Sequence, residues 1–406
     1  MEFDYLTLDD FDLRDRKVLL RLDINAPIEP GTGQILDDGR IVAARPTLDA
    51  LTQARVVVLS HQSRPGRDDF TSLEQHSTVL QKNCSQRVKF IDDVMGPAAR
   101  QAIKEVRTGE VLVLDNVRFC AEENLEGKPE KLARTNFVTR LAPLFNLYVN
   151  DAFAAAHRSQ ASLVSFPYLL PSAAGRLMEK ELAALKRLLS EPDHPSTYLL
   201  GGAKVEDKVP VIENILSTKK ADSVLVGGLV AKMFLKAIGQ RFNETEEKEL
   251  SEMADQVQKA WAILAKYRDR ITLPLDFGTL EDGKRVEIPL HRLSKSGESL
   301  DIGAGTAEKF ADIISESKTV VASGPMGVFE EDWFELGTKT VLETMASSKA
   351  FTVIGGGHLS GYAAILGIDR QFSHVSTAGG AMLSLLAGED LPAITALAQS
   401  AKRHKG

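Results

Sequence analysis

The stretch YLLGGAKVEDK, Tyr198 to Lys208, runs from an apolar segment through two glycines into a segment carrying two lysines four residues apart. Glycine placed after a strand lets the backbone come close to another group, and Lys204 and Lys208 are expected on one helix face. Such a face calls for an anion. The familiar phosphate loop, GxxxxGK[ST], occurs neither here nor elsewhere in the chain.

Similar steps recur from end to end. Short β-branched runs alternate with helical patterns, which reads as α/β with mostly parallel sheets. The first half carries KVLLRLDIN, RVVVLSH, EVLVLDNVRF and NLYVNDAF, whose strands end in Arg, His, Asn and Asp. The second half carries TYLLGG, SVLVGG, ITLPLDF, TVVASGP and FTVIGGG, which mostly end in glycine. Between them, GRLMEKELAALKRLLSEPDHP places Met178, Leu182, Leu185 and Leu189 at helical spacing, with Pro192 and Pro195 as the stop. We read it as a helix joining two lobes; an ordinary core helix would carry the same pattern. The expected fold class is α/β, with two doubly wound parallel-sheet lobes of similar size joined by a helix and a cleft between them. The expected boundaries are 1–172 for the first lobe, 173–192 for the joining helix and 193–385 for the second lobe. Residues 386–406 are expected to return to the first.

Composition narrows the function. With 406 residues, 43% hydrophobic and 26% charged, the chain can bury two sizeable cores. A net charge of −7 argues against binding nucleic acid or an anionic membrane, so any cationic site is a local cluster. Cys84 and Cys120 are the only cysteines, which fits a reducing compartment without a disulfide framework. No apolar targeting segment and no membrane-length apolar run is visible, so the expectation is a cytoplasmic protein.

In LLRLDIN, period two assigns Arg21, Asp23 and Asn25 to one face and Leu20, Leu22 and Ile24 to the other. Ligands of open α/β sheets bind beyond the carboxyl ends of strands. The next strands deliver His61 and Arg64, then Arg118, then Arg158, and Arg40 stands at the start of an expected helix. One such strand could be a salt-bridged surface; arginines repeated after strand upon strand suit a small, multiply charged phosphate or carboxylate. In the second half, GGAKVEDK, GGLVAKMF, SGPMGVFE and GGGHLSGY each follow a strand and each is expected to open a helix. Unshielded N–H groups at helix starts bind phosphate oxygens. The dinucleotide fingerprint GxGxxG is absent, and GAGTAEK offers only GxG. A small anion held by arginines and a nucleotide held by glycines suit phosphoryl transfer, in which positioning and charge neutralisation do most of the work. A carboxylate acceptor would need no general base. On this reading Lys204 sits where the phosphoryl passes and Lys208 on the nucleotide phosphates.

The segments RLDINAP, DDGRIVAARPT, SHQSRPG, DNVRF, NDAFAAAHR, GGAKVEDK, SGPMGVFE, IGGGH and SHVSTAGGA, in this order, resemble the phosphoglycerate kinase family, in its archaeal form, over essentially the whole chain. The resemblance implies reversible transfer between ATP and the carboxylate of 3-phosphoglycerate, giving ADP and 1,3-bisphosphoglycerate, with hinge closure of the lobes. It assigns 3-phosphoglycerate to Arg21, Asp23, Ile24, Asn25, Arg40, His61, Gln62, Ser63, Arg64, Arg118 and Arg158. Arg40 and Lys204 become the catalytic residues that stabilise the moving phosphoryl. The nucleotide falls to Gly202, Ala203, Lys208, Ser323, Pro325 and Gly355 to Gly357, with Gly227 and Gly228 at adenine and Glu330 at the ribose.

Two positions depart from the family pattern. His358 stands where an Asp usually serves the nucleotide-bound Mg²⁺. Imidazole is a poor Mg²⁺ ligand, so His358 either hydrogen-bonds a phosphate or merely fills the position, and no residue is expected to be a direct metal ligand. Ser323 stands where Asn is usual. The implied partners are the two small molecules, with Mg²⁺ carried by ATP or ADP, in a monomer or homodimer. An enzyme acting on another small anion, and a catalytically silent nucleotide-binding protein, remain the alternatives.

Overall fold

The computed structural model describes residues 4–29, 31–190 and 192–404. The parts of the expected lobes and joining helix that fall elsewhere lie outside the described residues. The chain divides into two units: one runs to Ala183 and resumes at Asp390, and the other spans Ala184 to Glu389. The division falls inside a helix, Arg176–Ser190. Its apolar stripe is Met178, Leu182, Leu185 and Leu188, all fully buried or nearly so. The expected Leu189 is only half-buried, because Leu188 continues the spacing better.

The first unit is built on seven parallel strands: β1 (Leu6–Thr7), β2 (Lys17–Arg21), β3 (Arg55–Leu59), β4 (Arg87–Ile91), β5 (Glu110–Leu114), β6 (Leu147–Asn150) and β7 (Ser172–Ala174). Their spatial order is β1-β7-β6-β2-β3-β5-β4. The β-branched runs follow from this order. In β3, Val56, Val57 and Val58 are all inaccessible to solvent, as expected of a central strand covered on both faces. The same holds for β2, and it corrects the alternating reading of LLRLDIN. Leu19, Leu20 and Arg21 are all fully buried, and Asp23 and Asn25 lie past the end of the strand. Each buried Val or Leu contributes roughly 1.5–3 kcal/mol against the entropy of ordering the chain.

The second unit carries β8 (Ser196–Leu200), β9 (Ser223–Val226), β10 (Ile271–Thr272), β11 (Asp276–Glu281), β12 (Lys284–Pro289), β13 (Glu298–Ile302), β14 (Thr319–Ser323), β15 (Phe351–Gly355) and β16 (His374–Ser376). Six are parallel, in the order β10-β9-β8-β14-β15-β16; β12-β11-β13 form a separate antiparallel sheet. ITLPLDF therefore divides between the two sheets. Three of the four expected helices follow their glycines: Val205–Ser217, Gly228–Ala237 and Gly357–Ile365. The fourth does not. After β14 the chain turns through Trp333, and the helix starts at Leu336.

The helix Pro392–His404 belongs to the first unit. Ala393, Ile394, Leu397 and Ala401 are buried, the Ala393 N–H donates to the Ala156 carbonyl (3.2 Å), and the Ser400 hydroxyl donates to the Leu170 carbonyl (3.0 Å). Among the described residues no helix is long and apolar enough to cross a membrane.

Candidate active site

Each unit has its own cavity at the carboxyl ends of its central strands. In the first unit a cavity of about 770 Å³ is lined by Asn25, His61, Ser63, Arg64, Arg118 and Arg158, joined by Arg67, Asp69, Asn124, Glu126 and Gln160. Arg118 is its most constrained cation. It is buried, it donates to the Ser63 carbonyl, and its Nε has no hydrogen-bond partner. Burial, with Arg158 and Arg21 nearby, pulls its pKa down to about 10. A buried guanidinium donor left unbonded is costly unless a ligand completes it.

Ser63 holds the loop after β3 in shape. Its φ of 52° lies in the left-handed region, unusual for serine. Three contacts fix it there: its N–H donates to Asn25 Oδ1 (2.9 Å), its hydroxyl to Asp69 Oδ1 (2.5 Å), and its carbonyl accepts from Arg118. Asp23 accepts from the Asn25 N–H at 3.1 Å and from Arg40 at 3.4 Å, and the Arg40 side chain is 41% exposed.

Five expected ligand contacts do not line this cavity, Asp23 among them, since its carboxylate is turned to the Asn25 N–H and Arg40. Arg40 is another, held beside Asp23. Arg21 lies behind it, fully buried, with Nε donating to Ser162 Oγ (2.8 Å) and a terminal nitrogen 3.1 Å from His61 Nδ1. Ile24 and Gln62 are also fully buried. The Gln62 side chain exchanges hydrogen bonds with Ala26 and meets His76 Nε2 at 2.9 Å, which makes it a brace for the loop. Arg67, Asp69, Asn124, Glu126 and Gln160 were missed by the sequence reading. Arg67 and Asp69 follow SHQSRPG directly, but nothing in the pattern separates them from an ordinary charged turn.

The second cavity, about 420 Å³, is lined by Gly202, Ala203, Lys204, Lys208, Ser323, Pro325, Gly355, Gly356, Gly357 and His358, with Asp207, Gly379 and Gly380. Three helices begin here: Val205–Ser217, Gly357–Ile365 and Gly379–Leu386. None has a side chain capping its first turn. Their free N–H groups and helix dipoles give the cavity a positive wall without arginine. Gly379 and Gly380 were missed, although the stretch SHVSTAGGA was singled out.

The glycines divide by what they do. A Cβ on Gly324 (φ +84°) would lie 2.2 Å from the Gly201 carbonyl oxygen, so here glycine lets two strand ends pack together. Gly227 and Gly228 likewise press on Met326 and Gly202 and do not line the cavity. Gly356 (φ +102°) has open space beside it and leaves its helix start bare.

Lys204 is the residue before the first helical turn, exposed and lining the cavity; the expectation of one shared helix face is corrected to this extent. Lys208 lies inside that turn, buried, with Nζ 2.5 Å from the Ser323 hydroxyl. Burial is the main cause that draws its pKa down to about 7, and Lys204 adds to it against Asp207. Glu330 is exposed in the loop after β14 and does not line the cavity. His358 lines it with its ring 6.3 Å from that of Phe329.

Residues 8–389 match the family described as phosphoglycerate kinase. The chain is 43% identical to the phosphoglycerate kinase of Methanothermus fervidus over 99% of its own length and 98% of the relative's. It is 44% identical to that of Methanococcus maripaludis over 99% and 100%. The crystal structure of phosphoglycerate kinase from Pyrococcus horikoshii matches with a TM-score of 0.90 at 42% identity, covering 98% of this chain and 99% of that one. With this likeness running through both units and both cavities, the chain belongs to the phosphoglycerate kinase family.

Proposed function

We propose that this chain catalyses reversible, Mg²⁺-dependent phosphoryl transfer between ATP and the carboxylate of 3-phosphoglycerate, giving ADP and 1,3-bisphosphoglycerate in glycolysis and gluconeogenesis. The observation that carries the reading is the arginine cavity, in which Arg64, Arg118 and Arg158 converge and the buried Arg118 keeps an unbonded donor. A phosphate monoester supplies the acceptor oxygens that such a group lacks. Asn25, His61 and Ser63 complete the hydrogen-bonding wall, with Asp23 orienting Arg40. The nucleotide phosphates take the N–H groups at Gly356 and Gly357 and the ammonium of Lys208, while Lys204 and Arg40 neutralise charge on the phosphoryl in flight. Glu330, Gly227 and Gly228 are assigned to the nucleoside end by the family resemblance alone.

Mg²⁺ prefers oxygen ligands and retains water, so it suits delivery on the nucleotide. Among the described residues no group of three or more His, Cys, Asp or Glu could hold a metal, and Asp207 is the carboxylate of the nucleotide cavity. Asp207 is therefore the residue that would face the nucleotide-borne ion, directly or through water. The ion would draw charge from the phosphate oxygens. Closure of the lobes belongs to the same reading, because water must be kept from the reacting phosphoryl. So do a cytoplasmic location and a monomeric or homodimeric state.

The test is acyl phosphate formation from Mg-ATP and 3-phosphoglycerate, trapped with hydroxylamine. Product that requires both substrates supports the reading. Its absence from folded protein that binds ATP would overturn it in favour of another acceptor or a silent nucleotide-binding protein.

A further inference from the structure

Behind the arginine cavity, buried polar groups that the proposed reaction does not itself call on lead to His61 in the cavity wall. Glu123, fully buried, accepts from the Ser162 N–H (2.8 Å) and from the Ser162 hydroxyl (2.5 Å). Ser162 Oγ accepts from Arg21 Nε at 2.8 Å, and a second Arg21 nitrogen lies 3.1 Å from His61 Nδ1. Arg21 also donates to the Leu22 carbonyl, and the Tyr148 hydroxyl donates to the Ser162 carbonyl (2.8 Å), so both ends of the link are anchored.

The direction of each bond follows from chemistry. A guanidinium has donors and no acceptor, so the Ser162 oxygen and the His61 Nδ1 that face Arg21 must both accept. Ser162 then spends its own proton on Glu123. His61, with Nδ1 taken, must carry its proton on Nε2, and a second proton at Nδ1 would confront an Arg21 N–H.

We propose that Glu123, Ser162 and Arg21 are positioning residues that lock His61 as the neutral Nε2–H tautomer, a fixed uncharged donor for the phosphate or carboxylate of the bound small anion. This rests on the proposed 3-phosphoglycerate site and deepens it. Sign and geometry agree around the ring. The charged groups that bear on it are Arg21 of β2, Arg118 after β5, Arg158 after β6 and Arg40 of the helix Gly39–Ala43. Glu123, whose burial pushes its pKa up against Arg21 and the Ser162 hydrogen bonds, is linked by hydrogen bonds to Arg21 through Ser162. Burial and these cations hold His61 well below the ordinary histidine range. The lock would make recognition of the substrate indifferent to pH where a free histidine would titrate.

The test uses the full chain labelled with ¹⁵N at histidine, read by NMR from pH 5.5 to 8.5, with calorimetry of 3-phosphoglycerate binding. In the unmodified protein His61 is expected as the Nε2–H form with no titration across that range. Ser162→Ala and Glu123→Gln should each weaken 3-phosphoglycerate binding about tenfold, the scale of one charge-assisted hydrogen bond. In both variants Arg21 loses its fixed orientation. His61 should then stay uncharged, held by burial and the surrounding arginines, but should become a mixture of the Nδ1–H and Nε2–H forms, while ATP affinity stays within about twofold. A protonated Nδ1, or a His61 titrating near the ordinary value in the unmodified protein, would overturn the proposal even if neither variant folds. So would variants in which His61 remains wholly in the Nε2–H form. Failure of the hydroxylamine assay with the tautomer as expected would instead remove the substrate assignment and leave the lock standing.

Discussion

The two cavities are positive by different means. The first is built from side chains: guanidinium groups projected from strand ends, with Arg118 held by its hydrogen bond to the Ser63 carbonyl. The second is built largely from backbone: three uncapped helix starts, bare glycine edges and two lysines. A side-chain site can recognise the shape of a small rigid anion, since a guanidinium fork is directional. A backbone site follows the chain of phosphates on a nucleotide and depends on how closely the loops pack. The first should therefore lose affinity residue by residue, while the second should also lose stability when its glycines change.

Lys204→Ala gives the largest expected effect, because Lys204 is assigned to the moving charge. Turnover should fall about a thousandfold, the scale of losing a preorganised electrostatic contact. Its exposed side chain leaves the melting temperature nearly unchanged. Steady-state rates and a thermal melt decide it, and unchanged turnover would sink the role.

Gly324→Ala and Gly356→Ala next separate packing from access. The first must displace the Gly201 carbonyl, and a loss of about 3 kcal/mol with weaker ATP binding is expected. The second meets no neighbour, and only its positive-φ backbone resists, at about 1–2 kcal/mol. Chemical denaturation of both variants tests the order, and equal losses would erase the distinction.

Arg64→Ala sharpens the contrast from the other side. Affinity for 3-phosphoglycerate should drop roughly tenfold to a hundredfold by calorimetry, on the scale of a charge-assisted hydrogen bond. ATP affinity and melting temperature should hold. Parallel losses for both ligands would break the division of labour.

The smallest effect is in pH. Lys208, with its pKa lowered to about 7 in the fold, gives up its proton there while an unfolded lysine keeps it to about 10.4. Between those values the unfolded chain binds more protons, so stability rises with pH; below about 7 the cost of the buried ammonium is fully present. Nucleotide phosphates favour the protonated form. ATP affinity should then decline several-fold as pH rises above about 7, with proton uptake on binding, by calorimetry in buffers of different ionisation enthalpy. Binding without proton uptake at pH 8 would contradict it.

The comparison also explains how much could be read beforehand. Arginine after a strand is visible in a sequence, and Arg64, Arg118 and Arg158 do line one cavity. Which way a buried side chain turns is not visible. Arg21 reads like its neighbours yet points to Ser162, because β2 is central and both of its faces are covered. A glycine pair announces close approach without saying to what. Gly227 and Gly356 look alike in sequence, but one meets Met326 and the other faces open space. The antiparallel sheet β12-β11-β13 was missed because its strands, such as KRVEIP, are half polar and lack the β-branched runs that mark buried parallel strands.

The helix Pro392–His404 sets the order in which the protein can be made. A ribosome delivers β1 to β7 first, yet the surface of the first unit around Ala156 and Leu170 stays uncovered until this helix has been translated, after the whole of the second unit. The second unit, continuous in sequence, can close as soon as it emerges. The unit that begins first thus finishes last, and the seam that this helix covers stays open until the final residues emerge.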